Sequence, residues 1–209
     1  DDDMIEHWFI VNEHWIHDWA MFSVLRSMHD DTPWTEWPVP LRDRHPDALR
    51  SFEERYTSDI HQAIIDQVCF QRDWDVLRHY ASARGVRLFG DVPIFIAHDS
   101  ADVWAGRSLF QLDDQGMPSV VAGVPPDSFS ENGQRWGTVL YDWDAHRDDQ
   151  WMWWRHRMTH MCRLFDIVRI DHFRGIEAAW AIPPECDTAV GGAWQDGPGD
   201  DLVRAICEV

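Results

Sequence analysis

The sequence has few basic residues and no apolar run long enough to cross a bilayer. Lys and Arg number 18 against 37 Asp and Glu, which gives a formal net charge of −19. Nucleic acids and anionic membrane surfaces attract basic patches, so this charge argues against both as partners. A transmembrane helix needs about 18 or more consecutive apolar residues, and no run in the sequence approaches that length.

Cysteine is also scarce, and no metal-binding pattern is present. The four cysteines are widely spaced and form no CxxC pair: Cys69, Cys162, Cys186 and Cys207. This usage is typical of reduced thiols, mostly in the core, of a cytoplasmic protein. His14 and His17 lie three residues apart, but a structural zinc site usually needs four ligands and no third one is evident nearby. No phosphate-binding glycine loop occurs.

Tryptophan is present in excess, with 14 residues in a chain of 209. Tryptophan usually fills cores and interfaces, so most of these side chains are predicted to be structural. Flat aromatic rings also stack on the apolar faces of sugars, and aromatic enrichment marks binding surfaces. With 44% hydrophobic and 26% charged residues the composition is globular, and a Trp-rich acidic protein fits a carbohydrate binder.

The first third of the chain is predicted to be helical. In "HWIHDWAMFSVLRSM" the apolar residues recur at spacings of four and three and form one helix face: Trp15, Trp19, Phe22 and Leu25. A second helix is expected to begin near Pro46. A longer one is predicted from about Asp59 to Arg84, with Gly85 as its C-terminal cap. Its predicted inner face consists of Ile60, Ile64, Val68, Trp74 and Leu77.

The rest of the chain alternates between strand and helix signals. "GVRLFGD", ending at Asp91, and "DIVRID", ending at Asp171, predict two strands. Between them lie a long excursion at about 98–146 and a helix with three-four apolar periodicity that contains Trp154. A final helix is expected near Asp200. This order is typical of an α/β fold with a parallel sheet.

The stretch "IVRIDHF" carries the strongest chemical signal. A lone acid at a strand end is most often a cap or loop residue. Arg169, however, lies two residues before Asp171 and therefore on the same strand face, where a guanidinium favours the ionised carboxylate. His172 could donate a hydrogen bond to a substrate hydroxyl. The trio suits covalent attack on an anomeric carbon.

Asp91 is expected to share this site, because the active residues of parallel sheets gather at the carboxyl ends of strands. Attack by Asp171 also requires a second carboxyl group as general acid. Asp91, Asp127 and Glu177 are the candidates in the sequence. None of them follows at the end of the next strand, so none is assigned as the acid.

Three longer stretches resemble one enzyme family. They are "GDVPIFIAHDSADVW", "FQLDDQGMPSVVAGVPPDSFSENGQRWG" and "LFDIVRIDHFRG", and the likeness continues upstream through "HWIHDWAMF", "WTEWP" and "CFQRDWDVLRHYA". Together they resemble the amylomaltases, the 4-α-glucanotransferases of glycoside hydrolase family 77. The resemblance covers nearly the whole chain.

The resemblance implies a fold and a reaction. The fold would be part of a (β/α)₈ barrel, with residues 1–85 as a helical insertion subdomain and residues 86–209 as a partial barrel of two strands. The stretch at about 98–146 would be a substrate loop. The reaction would be retaining transfer of α-1,4-glucan segments between maltodextrins, in a cytoplasmic enzyme without metal or organic cofactor.

The resemblance also implies roles for individual residues. Asp171 matches the nucleophile that forms the covalent glucosyl intermediate. The residues that match the donor side of the site are Arg169, His172 and Asp91. Those that match the acceptor side are Asp127, Gln134 and Trp136.

The family's general acid, a Glu in an "AEDLG"-like strand, and a further Asp in a "THD"-like motif have no match here. The chain is therefore expected to be an internal segment that is inactive by itself. Two alternatives stay open. One is an α-glucan hydrolase of the same superfamily, and the other is a non-catalytic glucan-binding fragment.

Overall fold

The computed structural model describes residues 2–209, and the side chains of residues 2–5 lie outside the description. The chain forms two compact units. The first comprises the chain up to Ala83 together with Asp99–Ala105, and the second comprises Arg84–His98 and Gly106–Val209. The architecture is mixed α/β, as predicted.

The first unit is helical. Its helices are α1 (Asp2–Met28), α2 (Val39–Arg42), α3 (Pro46–Arg55), α4 (Thr57–Ser82) and α5 (Ala101–Ala105). Helix α3 begins at the predicted proline, whose missing amide hydrogen costs nothing in the first helical turn. Helices α1 and α4 pack against each other.

The buried faces of α1 and α4 differ in part from the predicted ones. On α1, Phe22 and Leu25 are buried as predicted, whereas Trp15 and Trp19 are half-buried and Ile16 is fully enclosed. On α4, Ile60 and Ile64 are buried. Its predicted inner face does not extend to Leu77, which is 49% exposed.

The core of the first unit is aromatic. Trp104 of α5 is fully buried between the rings of Phe22 and Trp37, at centroid distances of 5.9 Å from each. Its indole nitrogen donates a hydrogen bond to the carbonyl of Leu41 at 3.1 Å, and the guanidinium of Arg44 lies 4.2 Å from its ring centroid. Helix α5 thus anchors the start of the predicted excursion in the helical unit.

The second unit contains the two predicted strands. They are β1 (Phe89–Pro93) and β4 (Ile167–Asp171), and they pair in parallel with Asp91 opposite Arg169 and Pro93 opposite Asp171. Asp91 therefore lies in the middle of β1 rather than at its end. Gly85, three residues beyond α4, has a φ of +72° and turns the chain toward β1 instead of capping the helix directly.

The second unit also contains a four-stranded antiparallel sheet, which the sequence interpretation missed. Its strands lie in the order β3 (Gln134–Val139), β2 (Val121–Val124), β5 (Ala178–Ile182), β6 (Ala193–Asp196). The stretch 98–146 is therefore not irregular, because it contains α5, β2 and β3. The strands are short, and a register shift between Val121 and Gly123 interrupts the pairing of β2 with β3, so periodicity gave little signal.

One face of the parallel strand pair is covered by helix α7 (Met152–Leu164), which packs on both β1 and β4. Helix α6 (Trp143–Asp148) precedes α7 in the chain, and α8 (Asp200–Cys207) packs against α7. Trp154 and Met158 on α7 are buried as the spacing predicted. On β1 the alternation is complete, since Gly90 and Val92 are buried whereas Phe89 and Asp91 are exposed.

The cysteines are free, but the prediction that most of them lie in the core was wrong. Cys162 and Cys207 are exposed, and Cys69 and Cys186 are half-buried. Over residues 2–209, no helix is both long and apolar enough to span a membrane.

Candidate active site

The exposed face of the parallel strand pair carries a linked set of charges. Side chains two residues apart on β4 point to one side, which brings Arg169 and Asp171 together, and the strand register adds Asp91. Arg169 donates two hydrogen bonds to Asp91, from Nε to Oδ1 at 3.0 Å and from Nη2 to Oδ2 at 2.5 Å. Its Nη2 also lies 3.7 Å from Oδ1 of Asp171.

The main partner of Arg169 is therefore Asp91, whereas the sequence interpretation paired Arg169 with Asp171. The two-point hydrogen bond from Arg169 lowers the pKa of the Asp91 carboxyl, and the same contact raises the pKa of the guanidinium. Asp91 is thus held ionised and is unsuited to donate a proton. The Asp171 side chain is 61% exposed, so its carboxylate is open on the solvent side.

His172 stands beside this group in an unusual backbone conformation. Its φ and ψ of 50° and 47° lie in the left-handed region, which is uncommon for residues other than glycine. Such strain persists where the surroundings impose it, and it clusters at functional sites. Partial burial lowers the pKa of the imidazole, although the nearby Asp171 carboxylate acts in the opposite direction. The ring is therefore neutral at pH 7.

An aromatic cluster supports His172. The ring of Trp136, on β3, meets the imidazole edge to face at a centroid distance of 4.8 Å. Phe95 lies 6.3 Å from His172 and 6.4 Å from Trp136. Gln134, on the same face of β3, accepts a hydrogen bond from Nε1 of Trp136 at 3.1 Å. Trp136 remains 38% exposed, so part of its indole surface is available to a ligand.

Six of the predicted residues, together with Phe95, thus form a charged set and a mainly aromatic set that meet at Asp171 and His172. The charged set is Asp91, Arg169 and Asp171, and the aromatic set is Phe95, Gln134, Trp136 and His172. Phe95 was missed by the sequence interpretation. Its only sequence signal was its place just after a strand, and the direction of its ring depends on partners far along the chain.

Asp127 belongs to neither of these two sets. Its Oδ1 accepts hydrogen bonds from the backbone amides of Phe129 and Ser130, each at 2.8 Å, and so caps the loop between β2 and β3. Phe129 at the tip of this loop is 96% exposed. The acceptor-side role of Asp127 stays a prediction.

The described part of the chain contains no group of three or more His, Cys, Asp or Glu side chains placed to hold a metal ion. His17, one of the two histidines considered from the sequence, lies with its Nε2 at 2.9 Å from Glu53. The candidate site is therefore built from charged and aromatic side chains. It offers an open carboxylate, a neutral imidazole and a partly exposed indole on one edge.

Comparison with known proteins identifies one family that this chain matches over its whole length. The sequence pattern of a family described as 4-alpha-glucanotransferase matches residues 1–209. The 4-alpha-glucanotransferase of Thermus thermophilus is 47% identical over 195 residues, which cover 93% of this chain and 39% of that protein. A chloroplastic/amyloplastic 4-alpha-glucanotransferase of Arabidopsis thaliana is 45% identical over 192 residues, or 92% of this chain and 33% of that protein.

Two solved structures of amylomaltases also match this chain. An amylomaltase from Streptococcus agalactiae in complex with acarbose superposes with a TM-score of 0.93 at 33% identity, covering 99% of this chain and 42% of that one. An amylomaltase from Corynebacterium glutamicum, at 15% identity and a TM-score of 0.72, shares the fold. This chain spans 39% and 33% of the length of the two curated relatives described above.

Proposed function

Because this chain belongs to the 4-alpha-glucanotransferase family, we propose that the complete protein transfers α-1,4-glucan segments between maltodextrins through a covalent glucosyl intermediate on Asp171. The observation that carries the proposal is the arrangement of Asp171 beside the Arg169–Asp91 pair and next to His172, whose ring contacts that of Trp136. The amylomaltase of Streptococcus agalactiae was solved in complex with acarbose, which supports a carbohydrate ligand for the same site.

The reaction has two displacements. In the first, an Asp171 oxygen bonds to the anomeric carbon of the donor, the glycosidic C1–O bond breaks, and a general acid protonates the departing oxygen. In the second, the 4-hydroxyl oxygen of an acceptor glucan bonds to the same carbon, the ester bond to Asp171 breaks, and the hydroxyl proton returns to the conjugate base of the acid. Two inversions give net retention.

The neighbouring side chains have separate tasks. Asp91, ionised by Arg169, can accept a hydrogen bond from a donor-sugar hydroxyl, because a carboxylate has about four acceptor positions and its contacts with Arg169 and the Val92 amide do not fill them all. Neutral His172 can donate one ring N–H to another hydroxyl. Trp136 and Gln134 serve the acceptor side, where the exposed indole gives a sugar an apolar surface. Asp127 belongs to the same side through the β2–β3 loop.

The strand pair forms part of a (β/α)₈ barrel in this proposal, and the face that carries Asp91, Arg169 and Asp171 is its inner face. Parallel strands are normally covered on both faces, and here α7 covers one while the other is exposed. The two compact units support residues 1–85 as the helical insertion and 86–209 as the partial barrel. The stretch 98–146 is then the substrate loop.

The general acid comes from outside these residues in this proposal. Asp91 is ionised, and the Asp127 carboxylate caps its own loop. The 209-residue chain is therefore expected to be inactive alone, and the complete protein is the form to assay. A cytoplasmic location stays a prediction, for which the free thiols give support.

The test is to incubate the complete protein with maltotriose and to separate the products by size. Glucose together with chains longer than maltotriose supports transfer, whereas glucose and maltose alone support a hydrolase. Binding without any product supports a non-catalytic glucan binder.

Asp171→Asn should lower the transfer rate by at least about a thousandfold, because the amide is not a nucleophile. The matched control is Asp148→Asn, which makes the same change at the exposed last residue of α6, outside the substrate loop, and should leave the rate unaltered. A near-normal rate for Asp171→Asn, with folding intact, would refute the assignment of the nucleophile.

A further inference from the structure

Two side chains behind the site clamp the backbone that leaves β1. Tyr141 is fully buried, and its Oη donates a hydrogen bond to the carbonyl of Ile94 at 2.6 Å. Arg157 donates from Nη2 to the carbonyl of Pro93 at 2.8 Å and from Nη1 to Oη of Tyr141 at 3.3 Å. Two successive carbonyls are thus held by one connected pair, called here the Tyr141–Arg157 clamp.

Aromatic packing holds the clamp itself. The guanidinium of Arg157 lies 5.1 Å from the ring centroid of Trp153 and 5.3 Å from that of Trp154, both on α7. The Tyr141 ring packs against Phe110 at 5.4 Å. Neither side chain can leave its place without giving up ring contacts as well as hydrogen bonds, so the clamp is a preorganised support.

The residue that the clamp holds is Phe95. It follows Ile94 directly, is 5% exposed, and its ring lies 6.2 Å from that of Tyr141. On the other side the amide of Val139, at the end of β3, donates a hydrogen bond to the carbonyl of Ile96 at 3.2 Å. The backbone is therefore fixed immediately before and immediately after Phe95.

Phe95 in turn touches both halves of the site, because its ring packs against His172 and against Trp136. We infer that Tyr141 and Arg157 are positioning residues that hold Phe95 so that His172 and Trp136 keep their orientation toward the donor and the acceptor sugar. This inference rests on the proposed function. A displacement of about 1 Å in such a support is enough to lower a rate by about a hundredfold.

This positioning role predicts an effect on whether an acceptor sugar or a water molecule takes the glucosyl group from the intermediate. The glucosyl intermediate is consumed either by an acceptor hydroxyl, which must be oriented, or by water, which needs little orientation. Loosening the support for Trp136 should therefore slow transfer more than hydrolysis. The ratio of the two can be measured directly, because transfer leaves the number of reducing ends unchanged and hydrolysis adds one at each event.

The experiment measures this ratio for the complete protein with maltotriose as substrate. Tyr141→Phe removes only the hydroxyl that binds Ile94, and we expect the transfer-to-hydrolysis ratio to fall about tenfold. Arg157→Gln changes a half-buried position on a helix and should also lower the transfer-to-hydrolysis ratio. This variant tests the inference independently if Tyr141→Phe folds poorly. A loss of folded protein alone would change both rates equally and leave the ratio unaltered.

The matched control is Tyr56→Phe, which removes the same atom from the helical unit and should keep the wild-type ratio. A wild-type ratio in both Tyr141→Phe and Arg157→Gln, with transfer still running, would overturn the positioning role and leave the proposed function standing. Absence of transfer in the unaltered protein would instead overturn the proposed function, and this inference with it.

Discussion

His146 makes the stability of the protein depend on pH. The side chain is fully buried among aromatic rings and no well-formed hydrogen bond reaches either ring nitrogen. The surrounding rings belong to Tyr141, Trp143, Trp153 and Phe110, at centroid distances of 5.2 to 6.4 Å. Burial lowers the pKa of His146 from 6.5 to about 4, because the charged imidazolium would lose its hydration.

The direction of this pH dependence follows from the linkage between proton binding and folding. The carboxylates of Asp149 and Asp142 favour the protonated form but do not offset burial. Because the folded pKa lies below the unfolded one, the folded state binds protons less readily. The contribution of neutral His146 is then fully present above pH 6.5 and is lost as the pH falls toward 4. The loss is about 2 kcal/mol at pH 5 and about 3 kcal/mol below pH 4.

The assay compares the complete protein with His146→Leu, an apolar replacement of similar volume that leaves no polar atom to satisfy. Urea unfolding of both at pH 7.5 and pH 5.0 gives two differences in the free energy of unfolding. Other titrating groups cancel between the proteins, so the variant should gain about 2 kcal/mol relative to the wild type on acidification. The reasoning would be refuted if the variant and the wild type differed in free energy of unfolding by the same amount at both pH values. A pKa near 6.5 for His146, measured by NMR, would refute it as well.

Two further substitutions test other parts of the structure. Asp91→Asn keeps one acceptor oxygen but removes the charge and the two-point contact with Arg169, so kcat/KM for transfer should fall on the order of tenfold. An unchanged kcat/KM would argue against a donor-side role. Trp104→Ala should lower the free energy of unfolding of the helical unit by about 3–5 kcal/mol, because the side chain is fully buried. The same change at Trp194, which is 45% exposed, is the control and should cost clearly less in urea unfolding.

Helix and strand positions were largely predictable because they depend on local patterns. The start of α3 at Pro46, the strand at Ile167–Asp171 and the helix from Asp200 all followed from periodicity and turn chemistry. The antiparallel sheet was not predictable in the same way. Strand β6 is only four residues long, and its pairing with β5 depends on contacts rather than on an alternating pattern.

In the candidate site, too, some features followed from local sequence patterns and others only from tertiary contacts. The sequence by itself determined that Arg169 and Asp171 share a strand face, because side chains alternate along any strand. It also indicated, through the family resemblance, the chemistry that we propose for the site. Only the tertiary structure decided that Arg169 binds Asp91 first, since that contact joins residues 78 positions apart through the register of β1 against β4. Phe95, Tyr141 and Arg157 likewise meet only after folding, because the partner of a side chain depends on which distant backbone the packed strands and helices bring beside it.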